Sequence, residues 1–459
     1  MEETKEVDLG SGSIGSLLFR LALPAITAQI INVLYNMVDR MYIGHIKGVG
    51  ADALTGVGVT MPVIMAISAF AALVSMGGAP RASIMMGKGD KATAEKILGN
   101  CTTMLIGVAV VLTVAFLVFG RQILMLFGAS DNTVTYAVDY MSIYAAGTVF
   151  VQLSLGLNAF INAQGYAKTG MFTVMIGAVC NIILDPVFIF GFGMGVKGAA
   201  LATIISQAIS CFWVLKFLNS KKSFLRMKKK NLRLERSILL PCLALGVSPF
   251  IMQFTESVIS VCFNTSLLKY GGDVAVGAMT ILTSVMQFSM LPLQGLTQGA
   301  QPIESYNFGA GNLERVSRVF RLLLISCLLY STALWAISEF APSVFVGIFT
   351  NDEQLMQFAR WALRIYMGTS LMFGAQIACQ QTFIALGNAK CSLFLALLRK
   401  VILLIPLIFI LPLFFENKVF AVFLAEPIAD GLAVLTTVTL FAITFRKLKR
   451  EFKVKAENR

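Results

Sequence analysis

Two carboxylates in otherwise apolar sequence have neighbours suited to holding a cation. Asp185 follows Asn181 by four positions, so both side chains lie on one helix face. Asp39 lies in the last part of an earlier apolar segment, and Thr203 lies near the start of a later one. At a helical rise of about 1.5 Å per residue, these positions fall in the same outer half of a membrane. Since the ligand atoms are all oxygen, the group suits a hard cation such as Na⁺, or a shared proton.

Each of these acids also has a structural interpretation. Asp185-Pro186 is typical of the end of a helical segment, and Asp39-Arg40 could be an ion pair at the membrane surface. An ionisable side chain inside a membrane span nevertheless costs about 2.5–3.5 kcal/mol or more, which favours a functional reason for keeping it. The two acids together therefore indicate a coupling site.

A third acid, Glu256, lies in a later apolar segment. It could be a second coupling site or a contact for a cationic substrate. Equally, it could be a neutral glutamic acid that is hydrogen-bonded to Gln253 or to a backbone carbonyl. Asn32, Asn158 and Gln380 could line a cavity or pack one helix against another. The predicted substrate-cavity residues are Asn32, Asn158, Gln253 and Glu256.

The elements that must hold these residues are membrane helices. Of 459 residues, 57% are hydrophobic and only 13% are charged, whereas charged residues make up about 25% of a soluble domain. Continuous apolar stretches indicate helices rather than the alternating strands of a barrel. Twelve stretches begin near residues 17, 53, 94, 133, 169, 195, 238, 274, 313, 356, 391 and 419. We predict an all-α polytopic membrane protein.

The chain also contains an internal repeat. The sequence Ala163-Gln164-Gly165-Tyr166-Ala167-Lys168 returns 222 residues later as Ala385-Leu386-Gly387-Asn388-Ala389-Lys390. Repeats of this length are an architecture of secondary transporters. Six helices per half make the two copies parallel, so we expect two pseudo-symmetric six-helix lobes around a central cavity. The same offset relates Pro80 to Pro302, Gly87 to Gly309 and Gly89 to Gly311.

This architecture predicts five regions: a cytoplasmic N-terminal tail (1–16), an N-lobe (17–218), a basic cytoplasmic linker (219–237), a C-lobe (238–446) and a cytoplasmic C-terminal tail (447–459). Placing both termini in the cytoplasm leaves 29 of the 37 Lys and Arg residues inside, as the positive-inside rule requires. We expect a multi-pass monomer in the cell membrane, plasma or inner.

Several function classes are excluded by what the sequence lacks. No GxxxxGK[ST] loop is present for ATP, and no hydrolase or metalloprotease motif occurs. The only histidine, His45, has no neighbouring ligand residues, and the eight cysteines show no CxxC spacing. The net charge of +13 is explained by topology. We expect no enzyme activity, no cofactor, no metal beyond a possible sodium ion, and no nucleic-acid partner.

The repeat provides an internal control on the acids. In the second half, the places of Asp39, Asn181, Asp185 and Thr203 are taken by Val261, Leu403, Leu407 and Ala425. A shift to an offset of 220 after the fifth helix still gives Val401, Ile405 and Phe423. The sequence thus suggests that the scaffold folds without these polar groups and that the first half keeps them for function.

Four motifs resemble the multidrug and toxic compound extrusion (MATE) family, with a likeness that extends over residues 15–445. They are Leu23-Pro24, Asn36-Met37-Val38-Asp39, Asn181-Ile182-Ile183-Leu184-Asp185-Pro186 and Gly198-Ala199-Ala200-Leu201-Ala202-Thr203. The resemblance implies two six-helix lobes and the export of organic cations and varied drugs in exchange for Na⁺ or H⁺. It also implies partners that are small, mostly cationic or amphipathic molecules, and a lipid bilayer.

The acids of the first half look like those of the family's DinF-like branch. The resemblance implies that Asp39, Asn181, Asp185 and Thr203 form the cation site. It further implies that Pro24 lets the first helix bend and that Asn32 and Asn158 contact drug. Glu256 resembles an acidic position of the NorM-like branch, ten residues after Gly246, but residues 356–386 contain no Asp or Glu to complete a second site.

The expected function is therefore cation-coupled antiport of drugs and organic cations by alternating access. The alternative is a flippase for a lipid-linked cell-wall precursor, whose related fold also uses two six-helix lobes. Moving a pyrophosphate would call for several basic residues in the cavity. The intramembrane charges are mainly acidic, with Arg399-Lys400 as the exception.

Overall fold

A computed structural model describes residues 8–127, 130–131, 133–350 and 352–457. Within these ranges the chain is helical and contains no strand. The first half comprises α1 (Ile14–Gly44), α2 (Gly50–Gly87), α3 (Lys91–Leu126), α4 (Val134–Ala146 with Thr148–Ala163), α5 (Ala167–Gly191) and α6 (Val196–Leu218). The second half comprises α7 (236–271), α8 (273–309), α9 (Leu313–Phe340), α10 (Glu353–Tyr366 with Phe373–Ala385), α11 (Ala389–Phe414) and α12 (Lys418–Glu457).

The number of spans depends on three breaks. Nine helices in the described ranges are long and apolar enough to span a membrane, and the two parts of α4, bent by 59°, form a tenth span. One of the nine has 74 residues, Arg236–Gly309; a straight helix of that length would be about 110 Å long. Gly272, with φ 66° and ψ −163°, divides it into α7 and α8. With α10 as a second broken span, the arrangement is compatible with twelve, and the all-α membrane fold is confirmed.

The two ends of the described chain, near Leu9 and Phe452, lie on one side of the bundle. Asn307 Nδ2, near the end of α8, donates a hydrogen bond to the Leu9 carbonyl at 2.8 Å. The neighbouring Phe308 ring lies 5.9 Å from the ring of Phe452, near the end of α12. This side is called the terminal side, and the opposite one the far side. Since α1 begins at the terminal side, Asp39 lies toward the far side.

The repeat is visible in the turns between helices. Gly89 and Gly311 adopt φ values of 79° and 78°, a left-handed conformation that favours glycine. In both halves the next residue caps the following helix: Asp90 Oδ1 and Asn312 Oδ1 accept hydrogen bonds from backbone N–H groups at 2.9 Å and 3.1 Å. The hydrogen bond from Thr93 holds the pKa of Asp90 below its usual value. Equivalent turns of the two halves therefore fold alike.

The two halves cross on the terminal side, where α2 meets α8. A Cβ atom on Gly87 would collide with the Tyr306 carbonyl oxygen, and one on Gly309 would collide with the Ile84 carbonyl oxygen. Gly87 and Gly309 are repeat partners, and so are Ile84 and Tyr306. The backbones thus approach each other in a pseudo-twofold contact that only glycine permits at both positions.

An exposed acid lies on the far side of the contact between the halves. The Phe70 and Phe250 rings, 5.1 Å apart, join the halves near the middle of α2 and α7. Glu256, farther along α7, has a side chain that is 55% exposed. A carboxylate at membrane depth faces protein or water rather than lipid. Its exposure therefore indicates an aqueous cleft that is closed at the terminal side.

The basic connection between the halves is folded against α3. Lys228 forms an ion pair with the buried Glu95, and Lys96 Nζ lies 3.2 Å from Glu235 Oε1. Asn100 Oδ1 accepts a hydrogen bond from the Glu235 N–H at 2.6 Å. Some of the basic residues that were expected only to anchor topology therefore also hold the connection to the first half.

Candidate cation and substrate sites

Three helices of the first half bring the predicted cation ligands together. α5 packs against both α1 and α6. Asp39 comes from α1, Asn181 and Asp185 from α5, and Thr203 from α6, with exposed fractions of 5%, 1%, 0% and 9% respectively. These four residues are called the N-half cluster. The N-half cluster therefore forms only when three helices of the first half pack together.

Asn181 connects the members of the N-half cluster. Its Nδ2 donates to Asp185 Oδ1 at 3.1 Å and to Thr203 Oγ1 at 3.4 Å. The buried Asp39 and Asp185 carboxyl groups interact electrostatically with each other. Two ionised carboxylates buried side by side would repel each other, and a proton on one of them would relieve that repulsion. A bound cation would relieve the same repulsion.

Three buried oxygen atoms of the cluster have no hydrogen-bond partner in the described part of the chain: Asp39 Oδ1, Asn181 Oδ1 and Asp185 Oδ2. A buried acceptor left without a donor costs about 1–3 kcal/mol. Carboxylate, amide and hydroxyl oxygens are ligands for hard cations, so the set fits Na⁺ as well as a proton. The described residues include no group of three or more His, Cys, Asp or Glu side chains that could hold a metal ion.

Tyrosines that the sequence interpretation did not include border the cluster. Tyr140 interacts electrostatically with Asp39, and its ring stacks on that of Tyr144 with centroids 6.1 Å apart. Tyr35 interacts electrostatically with Asp39. Because Tyr35 precedes Asp39 by four positions, helical periodicity alone places both on one face and could have identified it. The rings limit access of water to the acids.

Both helices that carry the acids contain a proline. Pro186 follows Asp185 directly, and α5 continues there as a π-helical segment, Val187–Gly191. Pro24 lies inside α1 between the terminal-side end and Asp39, and it is buried. Proline cannot donate the usual hydrogen bond within a helix, so both positions are points at which a helix bends. This placement is consistent with the predicted hinge at Pro24.

The second half carries ion pairs on the equivalent helices. Lys400 Nζ, in α11, donates to Glu256 Oε1, in α7, at 2.6 Å. Arg399 Nε donates to Asp430 Oδ1, in α12, at 2.5 Å, and Arg399 Nη2 lies 3.5 Å from Glu426 Oε1. These five residues are called the C-half cluster. Glu256 is thus ion-paired, which corrects the interpretation of it as a neutral acid bound to Gln253 or to a backbone carbonyl.

Three acids within spans were missed from the sequence. Glu426 and Asp430 are 3% and 1% exposed, and their spacing of four within an apolar segment is the signal that could have found them. Glu304, in α8, is 1% exposed, and Thr382 Oγ1 donates to its Oε1 at 3.1 Å. The sequence offered no pattern around Glu304 that would identify its partner.

A family model described as MatE matches residues 24–187 and 249–410, one stretch in each half. The chain belongs to the MatE family. Members of this family are membrane transporters, so the expectation that the chain is not an enzyme is confirmed. The two matched stretches also agree with the internal repeat, since each covers most of one half.

Similar proteins support the assignment to the MATE family. The chain is 25% identical over 430 residues to Multidrug export protein MepA of Staphylococcus haemolyticus, covering 93% of this chain and 94% of the relative. The structure of MATE in the bent conformation matches with a TM-score of 0.91 at 22% identity, covering 98% of this chain and 99% of that one. MATE multidrug transporter DinF-BH, in complex with a bound compound, matches with a TM-score of 0.87 at 32% identity, covering 96% and 98%.

The remaining predicted cavity residues of this MATE chain occupy separate places. Asn32 on α1 and Gln253 on α7 are exposed. Asn158 is half-buried inside the first half, where its Nδ2 donates to the Gly170 carbonyl at 3.2 Å. Gln380 is buried, with Nε2 3.1 Å from Met252 Sδ. Asn158 and Gln380 therefore have packing roles in this conformation, whereas Asn32 and Gln253 are accessible.

Proposed function

We propose that this MATE protein is a cation-coupled antiporter that exports drugs and organic cations from the cytoplasm by alternating access, with Na⁺ or H⁺ as the coupling ion. One observation carries the proposal: Asp39 and Asp185 are buried in contact, and oxygen atoms of both lack partners among the described residues. The similar proteins named for multidrug export, and the related multidrug transporter whose structure holds a compound, support the substrate class.

We propose that the N-half cluster links cation binding to the shape of α1. A proton or Na⁺ that enters from the far side neutralises the acids and lets α1 and α5 remain packed together. When it leaves, the two carboxylates repel, and α1 bends at Pro24. Export follows only if the cation binds one conformation more tightly than the other. Each tenfold difference in affinity shifts the free energy between the two conformations by about 1.4 kcal/mol.

Orientation and lobe boundaries are part of the proposal. With both termini in the cytoplasm, the basic connection lies inside and the cleft faces outside. The N-lobe (17–218) and the C-lobe (238–446) would then move against each other around the Gly87–Gly309 crossing. The exposure of Glu256 toward the far side supports this arrangement, because a cleft that opens there releases substrate outward. We expect the protein to act as a monomer in the cell membrane.

Flippase activity toward a lipid-linked precursor has less support. A pyrophosphate would need free basic side chains in the cleft. Arg399 and Lys400, which the sequence offered for this purpose, are already paired with carboxylates. A compound with two negative charges would have to displace those acids and would leave them buried without partners.

The proposed function is tested with the purified full-length chain in vesicles and ethidium as the transported cation. Sodium and proton gradients are imposed separately. We expect one of the two gradients to drive ethidium accumulation in wild type and to fail in Asp39→Asn. Ethidium movement that needs neither gradient, or that is the same in both proteins, would contradict coupling through the N-half cluster.

A further inference from the structure

Lys400 lies behind the acid that faces the cleft. Its side chain is only 6% exposed, whereas the Glu256 side chain is 55% exposed. The 2.6 Å contact between Lys400 Nζ and Glu256 Oε1 gives this carboxylate a counter-charge from the protein itself. A cationic compound that reaches Glu256 from the cleft therefore meets an acid that already holds a positive charge.

A second carboxylate is available to Lys400 away from the cleft. Glu426 is 3% exposed, and its Oε2 has no hydrogen-bond partner among the residues described. Arg399 is a weak partner for Glu426, because its Nη2 atom lies 3.5 Å from Glu426 Oε1. The shorter contact of Arg399 is with Asp430. Lys400 interacts electrostatically with both Glu426 and Glu256. It therefore has one carboxylate at the cleft and another inside the protein.

The local backbone allows adjacent basic residues to serve different helices. Residues Leu398–Leu404 of α11 form a π-helical segment, a rare geometry that recurs at functional sites. Arg399 points to α12 and Lys400 to α7. The flexible four-carbon stem and three rotatable donors of Lys400 suit it to a change of partner, which the planar fork of arginine makes less readily.

Charge balance favours a monovalent cation as the ligand of this cluster. Glu256, Glu426 and Asp430 face Lys400 and Arg399, which leaves a formal charge of −1. One monovalent cation on Glu256, with Lys400 on Glu426, would neutralise the cluster and pair every charged group. A neutral compound would leave Lys400 where it is.

We propose that Lys400 is a movable counter-charge that determines substrate specificity: it holds Glu256 in the absence of a cationic compound and turns to Glu426 when such a compound takes Glu256. The proposal rests on the proposed function, because it requires cationic compounds to enter the cleft. It adds that the affinity for monovalent cations is limited by competition with an ammonium group of the protein.

The first test measures ethidium fluorescence on binding to the purified full-length chain at pH 8. We expect Lys400→Gln to bind ethidium roughly tenfold more tightly than wild type, because the competing ammonium is gone. Lys400→Arg keeps the charge but changes partner less readily, so it should bind ethidium no more tightly than wild type. Glu256→Gln should weaken binding roughly tenfold. Unchanged or weaker binding by Lys400→Gln would overturn the proposal.

A double-mutant cycle separates movement of Lys400 from a general charge effect. Glu426→Gln removes the buried acceptor and should weaken ethidium binding roughly fivefold, although Glu426 lies away from the cleft. In the Lys400→Gln background the same change should alter affinity by less than about twofold. If Glu426→Gln lowers ethidium affinity equally in both backgrounds, Glu426 acts on ethidium by its charge alone and not through Lys400. That result would overturn the proposal.

Separate control experiments test whether each variant folds and whether it still binds a neutral compound. Each variant is checked by gel filtration and thermal unfolding, and Lys400→Met replaces Lys400→Gln if the latter is unstable. Nile red, a neutral fluorophore, should bind all variants within about twofold of wild type, since it does not compete with Lys400. If wild type binds no ethidium, the proposed function fails as well. If wild type binds ethidium but the cycle gives no coupling, only the role of Lys400 is wrong.

Discussion

The two halves of this MATE protein place ionisable residues on equivalent helices but balance their charge in different ways. The N-half cluster, on α1, α5 and α6, sets two acids together among amide and hydroxyl groups. The C-half cluster, on α7, α11 and α12, sets three acids against Lys400 and Arg399. An acid pair without an internal cation must take up a proton or an ion, whereas Lys400 and Arg399 balance two of the three acids of the C-half cluster within the protein.

This difference modifies the use of the repeat as an internal control. Asp39 and Asp185 have Val261 and Leu407 as counterparts, so those positions do tolerate apolar residues. The second half nevertheless buries its own charged groups on the same helices. Tyr366, the repeat partner of Tyr144, interacts electrostatically with them. The scaffold therefore retains a polar region in both halves, and only its chemistry has diverged.

The largest expected effect comes from removing one acid of the N-half cluster. Asp39→Asn and Asp185→Asn should each reduce gradient-driven ethidium export to background, a loss of about a hundredfold or more. The reason is that the asparagine amide has no negative charge to attract a cation and does not take up a proton. The measurement is export in vesicles, with the amount of protein in the membrane determined in parallel.

Asp139→Asn is the matched control for these two variants. Asp139 lies in the same half but pairs with Lys197 at 3.4 Å outside the cluster. Its export should stay near wild type. Undiminished export by both Asp39→Asn and Asp185→Asn would mean that the first-half acids are structural and that the contrast between the halves has no functional meaning.

The next effect is on stability and should appear in the second half. Arg399→Gln leaves Glu426 and Asp430 buried without their cation, which should lower the free energy of unfolding by about 3–5 kcal/mol. Thermal unfolding in detergent measures it. Arg318→Gln, which breaks an exposed pair with Glu314 in α9, should cost less than about 0.5 kcal/mol. Equal losses would show that the C-half pairs contribute no more than surface pairs.

A smaller effect tests the uncharged ligands of the N-half cluster. Thr203→Ala removes an oxygen but no charge, so the coupling cation should bind about tenfold more weakly while export at saturating cation persists. The concentration of cation at half-maximal export gives this shift. Thr203→Ser keeps the hydroxyl and should behave as wild type. A complete loss in Thr203→Ala would mean that the hydroxyl does more than hold the cation.

The smallest effect should separate the two clusters by role. Glu256→Gln should lower ethidium export roughly three- to tenfold and leave export of neutral compounds near wild type. Its dependence on the imposed cation gradient should not change, because coupling is assigned to the first half. Equal losses for cationic and neutral compounds would place Glu256 in coupling instead.

Local sequence determined most of the architecture of this protein. The apolar segments predicted the starts of α1 to α12 to within three residues, because hydrophobic length and turn signals are properties of neighbouring residues. The offset of 222 predicted equivalent turns at Gly89 and Gly311, which adopt nearly the same φ. The Asn181–Asp185 spacing likewise predicted one shared helix face, and the hydrogen bond between the two side chains agrees with it.

Tertiary structure decided which charges meet. Glu256 and Lys400 are 144 residues apart in sequence, and nothing in their neighbours indicates that α7 and α11 bring them to 2.6 Å. The role of Glu426 depends in the same way on where Arg399 points. The free energy of a buried charge is set by its distance to other charges and to water, and both distances are fixed only when the helices pack. The sequence thus identified Asp39, Asp185 and Glu256, while packing determined that the first two lie together and that the third meets Lys400.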